Sequence, residues 1–588
     1  MSSLKQLSKQ TRLLSFLNNR FILFLTGCAL GAACFLWVYG VRILNPVYDA
    51  WLFNTDMDLK QHYIGWCHYR MSDWHFPVGL IDTLSYPTSV SVIFTDSIPL
   101  LALFFKLFRG VLPIHFQYFG LFGFVSFMLM GGISSLVVMS LLAGESGRSE
   151  ETSSVAPGVI ALISSPVYIL GSTVLQRMFY HTALGAQWII LLALYIWFNR
   201  YGYSRRRILL SYGLMGLLCV GIHTYYVPMV GSILLAACIE NCVTQVRREK
   251  HLWPHLFVEA ANLFAFCFTG LLTLYVFGAF YGESGGVDEG FGSFVINLNT
   301  FINPLYGSVI LKPMKLYYAW QYEGYAYLGL GVFILAAFGL VYIVKSLEKT
   351  GIKKYLKEHV RFSAALAVIV ADTLLAMIPI VTFGGVKLFG IPLPRVIRNA
   401  MGIFRSNGRF IWVPMYLITT GALCYAYRQL SEMFGQREKG GKIIIKAMVF
   451  LVLLQVLDAT PVIRTKQNYF TKEQYNTSIW TKVSFPATDL KYREMVFLYN
   501  ENDIMMDTAF FAYLNGRSIN NYYYARDIDE AVNANILQWK EELKAGKIRD
   551  DVIYIFRQED YDKEYAHLDS TAKMHWYRLD RDHMVGLK

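Results

Sequence analysis

The chain has 588 residues, 55% of them hydrophobic and only 16% charged, with a formal net charge of +12. Its charges gather into short blocks between apolar runs of membrane-spanning length, which excludes a soluble globular protein and marks a polytopic α-helical membrane protein. Basic loops on one side of a bilayer account for the positive balance, so it gives no ground for a nucleic-acid partner.

The first apolar run, 21–43, follows Lys5, Lys9, Arg12 and Arg20 and is too long for a signal-peptide core, so it reads as a retained first span. A large loop, 44–97, comes next. Further runs lie near 98–110, 114–143, 158–176, 183–198, 208–222, 225–243, 257–281, 326–344, 362–384, 410–427 and 443–458. Basic clusters orient them: Arg200 with Arg205 to Arg207, Arg247 with Arg248 and Lys250, Lys345 to Arg361, and Arg428 to Lys446 belong on the cytoplasmic side. The 44–97 loop, the 282–325 loop, the 385–409 segment and the C-terminal tail then lie outside. An inner N-terminus and an outer C-terminus require an odd number of crossings, so one run does not cross. The region 98–200 is where that exception is expected, because loop 144–157, with Glu145, Arg148, Glu150 and Glu151, gives no orientation signal.

Seven of the eight cysteines (all but Cys67) fall within apolar runs, which leaves no disulfide framework and no zinc-finger spacing. After Asp458 the apolar runs stop, dividing the chain into a transmembrane domain, 1–458, and a soluble domain, 459–588. Strand-like runs at Met495 to Tyr499 and Val552 to Phe556 bracket a helical pattern from Asp527, a candidate N-cap, to Ala545, with Gly546 as its stop. That pattern predicts a small α/β domain suited to recognition or shielding. The Asn476-Thr477-Ser478 sequon within it is too common by chance to carry an argument.

The candidate site residues fall between spans. Asp58, Gln61 and His62 stand at i, i+3 and i+4, so a helix here puts an acid, an amide and an imidazole on one face. Asp56 joins them through a turn or caps that helix. Asp96 opens the next apolar run, either as an N-cap or as a second acid converging with Asp58. Arg177 and His181, His223 beside Tyr225, and Glu323 are further ligand-facing candidates, each with the alternative of an interfacial anchor or a structural hydrogen bond. Arg395, Arg398, Arg405 and Arg409 have spacings that place four guanidiniums along one helical face, which suits a phosphate at the bilayer surface or anionic headgroups. Asp372, deep in an apolar run, reads as an interhelical partner or a pathway residue.

Five strings in order, Asp58-Leu59-Lys60-Gln61-His62, Trp74 to Gly79, Phe94 to Leu100, Gln321 to Gly329 and Phe404 to Phe410, resemble the DUF6311 family of bacterial membrane proteins. That family is similar in plan to GT-C glycosyltransferases, which have about eleven to thirteen spans, a large acidic first external loop and often an external C-terminal domain. The resemblance implies a multi-pass protein of the bacterial cytoplasmic membrane with its active site outside. It further implies a polyprenyl-phosphate-linked sugar as donor and a cell-envelope glycan as acceptor. By position Asp58 becomes the base, Asp96 the second acid, and Arg405 with Arg409 the holders of the donor phosphate. The Asp-x-Asp formed by Asp56 and Asp58 departs from the family string, which centres on the second acid. A divalent metal, Mg or Mn, serves some GT-C enzymes, and no ligand set in this sequence compels one. The alternatives are a flippase or transporter of lipid-linked saccharides and a non-catalytic envelope assembly subunit. The lack of matching halves and the large first loop count against transport.

Overall fold

The computed structural model describes residues 16–53, 57–144, 155–249, 251–282, 291–437, 439–482, 491–501, 503–524, 529–566, 568 and 574–588. Asp56, the charged loop residues Glu145, Arg148, Glu150 and Glu151, and Asp527 lie outside the described residues.

Among the described residues ten helices are long and apolar enough to cross a membrane: Arg20–Tyr39, Phe119–Ala143, Pro157–Arg177, Thr182–Gly202, Tyr226–Glu249, Trp253–Val276, Leu330–Thr350, Val360–Met377, Asn407–Phe434 and Gly440–Asp458. Large apolar side chains point outward from them, with Phe257 78% and Phe450 64% exposed, so the bundle needs a lipid surround. Two of the twelve apolar runs are not in this set. The run at 98–110 yields only the eight-residue helix Pro99–Lys106, too short to cross. The run at 208–222 lies in an 18-residue helix, Arg205–Ile222, whose first turn is three arginines. That helix packs on Trp253–Val276, where Thr269 donates a hydrogen bond to the Gly213 carbonyl (2.7 Å).

Helix Arg20–Tyr39 lies tightly against Phe119–Gly144. Gly27 and Gly31 allow this, since a Cβ on either would collide with the backbone of Gly131 or Phe127. Short polar networks tie neighbouring helices together. Arg200 pairs with Glu259 (2.5 Å), Arg361 with Glu240 (3.3 Å), and Trp197 donates to Glu240.

The first loop is folded. Its core is a helix, Met57–Met71, followed by an antiparallel ribbon of β1 (Leu80–Ile81) and β2 (Val90–Ser91). Tyr63 and His115 both bond the Asp49 carboxylate, at 2.9 and 2.8 Å. A second ribbon, β3 (Ile380–Phe383) with β4 (Val386–Gly390), precedes helix Arg395–Gly402.

The C-terminal part is α/β. Strands β5 (Glu494–Phe497), β6 (Ser518–Ile519), β7 (Val552–Arg557), β8 (His575–Arg578) and β9 (His583–Leu587) form one mixed sheet in the order β6-β5-β7-β9-β8. Both strand-like runs of the sequence are present, and they pair in parallel. The helical pattern between them is helix Asp529–Lys544, followed by Gly546 at φ +73°. This domain is seated on the first loop: Leu84 bridges Ile519, His68 bonds the Ala509 carbonyl (2.8 Å), and Arg70 donates to the Tyr513 hydroxyl (3.2 Å).

Candidate functional site

Helix Met57–Met71 turns its start toward the bundle. Asp58 is in its first turn, where a carboxylate is favoured by the helix dipole, and its side chain is 25% exposed. His62, one turn on, is fully buried. Gln61 does not join them: its amide donates to the carbonyls of Phe94 (3.4 Å) and Tyr523 (3.3 Å), and its own carbonyl accepts from Tyr522. The expected ligand-facing amide is therefore a fastener between loop helix, loop 92–98 and C-terminal domain.

Loop 92–98 is bent by two residues in the left-handed region, Asp96 at φ +51° and Ile98 at φ +55°. For a β-branched residue such as Ile98 this conformation is strained, and the surroundings must impose it. They do so through Ser97, which donates to the His62 carbonyl (2.7 Å) and bonds Thr95 (2.8 Å). Asp96 does not cap helix Pro99–Lys106, whose N-cap is Ile98 with no side-chain bond. Instead its carboxylate turns inward, 3.9 Å from His62 Nε2 and 3.4 Å from His223 Nε2.

Glu323 organises the other side. Its carboxylate accepts from Arg409 Nε at 2.8 Å and lies 2.9 Å from an Arg177 nitrogen, and all three side chains are buried. Two glycines permit the approach: a Cβ on Gly324 would stand 3.4 Å from Gly408 Cα, and one on Gly408 would stand 3.1 Å from Gly324 Cα. His181 bridges the two halves, with Nε2 3.5 Å from Asp58 and 3.5 Å from Glu323.

The four arginines do not share one helical face. Arg395 and Arg398 are exposed on helix Arg395–Gly402, which ends before Arg405. Arg405 is half-buried over the Phe294 ring (5.5 Å), and Arg409 starts the next span, committed to Glu323 and stacked on Tyr225 (4.5 Å). Tyr225 is a contributor that spacing did not reveal; it also accepts a hydrogen bond from the Ser406 amide (2.9 Å). The signal was its place two residues after His223.

Burial raises the Asp58 carboxyl, with Glu323 adding repulsion, and it pushes Asp96 up to about 6. Burial lowers His62 to about 3 and lowers His181 and His223 as well, so these imidazoles are neutral. Glu323 is the contrary case: burial would raise it, but Arg177, Arg409 and His181 hold it well below the usual carboxylate range. The cluster thus offers two carboxylates for proton transfer, neutral imidazoles, and in Arg405 a guanidinium that is only half-buried. Ligand atoms of His62, Asp96 and His181 lie within 4.8 Å of one another, close enough to hold a metal ion.

Fold and site define a polytopic helical membrane protein whose folded first loop and four inter-span segments build one charged cluster beside an α/β domain. The chain belongs to the DUF6311 family, a domain of unknown function, whose model matches residues 28–460, with the family's C-terminal domain matching residues 486–586. Comparison with curated proteins finds no match.

Proposed function

We propose that the chain is a bacterial cytoplasmic-membrane glycosyltransferase that moves a sugar from a polyprenyl-phosphate donor to a cell-envelope glycan on the outer face. The observation that carries this reading is that Asp58 and Asp96 share one cluster through His181 and His62, both within the electrostatic reach of Arg405, beside the folded first loop. In the reaction an acceptor hydroxyl attacks the anomeric carbon while Asp58 takes its proton. The bond from that carbon to the donor phosphate oxygen breaks, and the phosphate departs with the electron pair, met by the Arg405 guanidinium. Arg177 and Arg409 are paired with Glu323, so they act by positioning it and His181.

An outward-facing site is coherent with the helix order. Helix Arg205–Ile222 added to the ten apolar helices gives eleven crossings. The basic clusters at 200–207, 247–250, 345–361 and 428–446 then fall on one side, and Asp58, Asp96, His181, His223, Glu323 and the arginines of 395–409 fall on the other.

The test is turnover of a panel of polyprenyl-phosphate sugars by purified protein in lipid. Asp58→Asn is expected to cut turnover by about 10²- to 10⁴-fold while donor binding persists. The transport reading draws on Asp372, which is buried within span Val360–Met377 and accepts from Ser232 (2.8 Å). Lack of turnover with every donor, alongside saccharide-lipid flux that Asp372→Asn stops, would replace the transferase reading by that one.

A further inference from the structure

His62 and His68 lie on the same loop helix and both are fully buried, yet only one of them is satisfied. His68 bonds the Thr83 hydroxyl (3.0 Å) with one nitrogen and the Ala509 carbonyl (2.8 Å) with the other, as a structural histidine does. Neither ring nitrogen of His62 has a hydrogen-bond partner among the described residues. Buried polar groups are ordinarily paired, so an unmet imidazole that faces a carboxylate and a second imidazole indicates a ligand.

We propose that His62, Asp96 and His181 bind one divalent transition-metal ion of the zinc class, with His223 as the residue that positions Asp96. Two imidazoles and a carboxylate whose ligand atoms lie within 4.8 Å of one another are a donor set that suits zinc and leaves a coordination position open. An ion with ligands at about 2.1 Å sets them roughly 3.4 Å apart, so the observed spacing closes on the ion by shifts of about an ångström. His181, whose side chain is 14% exposed, has room for that movement. His223 is excluded as a ligand by its tautomer. Its Nδ1 accepts from the Tyr225 amide (3.2 Å), so Nε2 carries the proton and faces Asp96 Oδ1 (3.4 Å). The other carboxylate oxygen, Oδ2, is the one nearest His62. Such a contact fixes a carboxylate for coordination. Among the described residues Glu323 pairs with two guanidiniums, whereas His181 lies 3.5 Å from Asp58, and His62 and His223 lie 3.9 and 3.4 Å from Asp96.

The inference concerns the site used in the glycosyltransferase reading, and its test needs no sugar donor. Full-length protein without a histidine tag is stripped with chelator, dialysed against Zn²⁺ and assayed for zinc by elemental analysis, with Co²⁺ as a visible-absorption probe. One zinc per folded chain is expected. His181→Ala and His62→Gln should weaken binding at least about 100-fold, and His223→Phe about 10- to 100-fold. His251→Ala, at an exposed position elsewhere, should leave the stoichiometry unchanged. If His62→Gln does not fold, the partly exposed His181 carries the comparison. Folded wild type without stoichiometric zinc, or zinc that His181→Ala and Asp96→Asn leave in place, overturns the proposal. Zinc bound without any sugar transfer would remove the transferase reading and leave this one standing. Transfer that persists in chelator by protein lacking zinc would do the reverse.

Discussion

Glu323 sits between two buried guanidiniums, and neutralising it leaves both uncompensated. Glu323→Gln should therefore lower unfolding stability by about 3–5 kcal/mol, the cost of breaking a buried pair by removing one partner. Thermal unfolding in detergent measures this, and an unchanged midpoint would show that the arginines find other partners. The role of Glu323 was not legible from its neighbours along the chain, because Arg177 and Arg409 are separated from it by 146 and 86 residues. Asp58 and His62 were legible, since helical spacing alone puts them one turn apart. Gln61 has that spacing too, but one of its partners is Tyr523, 462 residues away, and so it was read as facing a ligand.

Among the packed elements, helices Arg20–Tyr39 and Phe119–Gly144 depend on their glycines. Gly31→Val places methyl groups against the Phe127 carbonyl and should destabilise the bundle by about 1–3 kcal/mol, read as a lower unfolding midpoint. In the C-terminal sheet, His583 at the start of β9 contacts Asp503 and Asp580, each at 2.8 Å. Burial would lower His583, but the two aspartates raise it above 6.5; burial would raise Asp503, but His583 and the Ile504 amide hold it below 3.8. The stability from His583 is full below pH 6.5 and is lost as pH rises through its raised folded value. That from Asp503 is present above pH 3.8 and is lost as pH falls through its lowered one. Domain stability, followed by amide exchange over Glu494–Phe497 and Val552–Arg557, should therefore peak between about pH 4 and 6.5 and fall on either side. His583→Gln should flatten the profile, and an unchanged profile would place its pH dependence elsewhere. Most helices were legible because a span needs a long apolar run. The run at 98–110 falls in the region where a non-crossing run was expected, and it forms only the two-turn helix Pro99–Lys106; apolarity does not report where a helix stops.

On the proposed topology, eleven crossings from an inner N-terminus place residue 588 outside. An alkaline phosphatase fused there should be active, whereas one fused after Arg206 should be inactive; the opposite pattern would invert the topology. Composition and local order sufficed for the membrane class, for most spans, for a small α/β region near the C-terminus and for the loop helix bearing Asp58 and His62. These follow from hydrophobic length and from periodicity, which are properties of neighbours along the chain. The inward turn of Asp96, the double pairing of Glu323, the unmet nitrogens of His62 and the seating of the C-terminal domain on the first loop arise only in the folded chain. Each is a contact between segments that lie far apart in sequence, and which of many possible polar partners meet is settled by the packing of the helices that carry them.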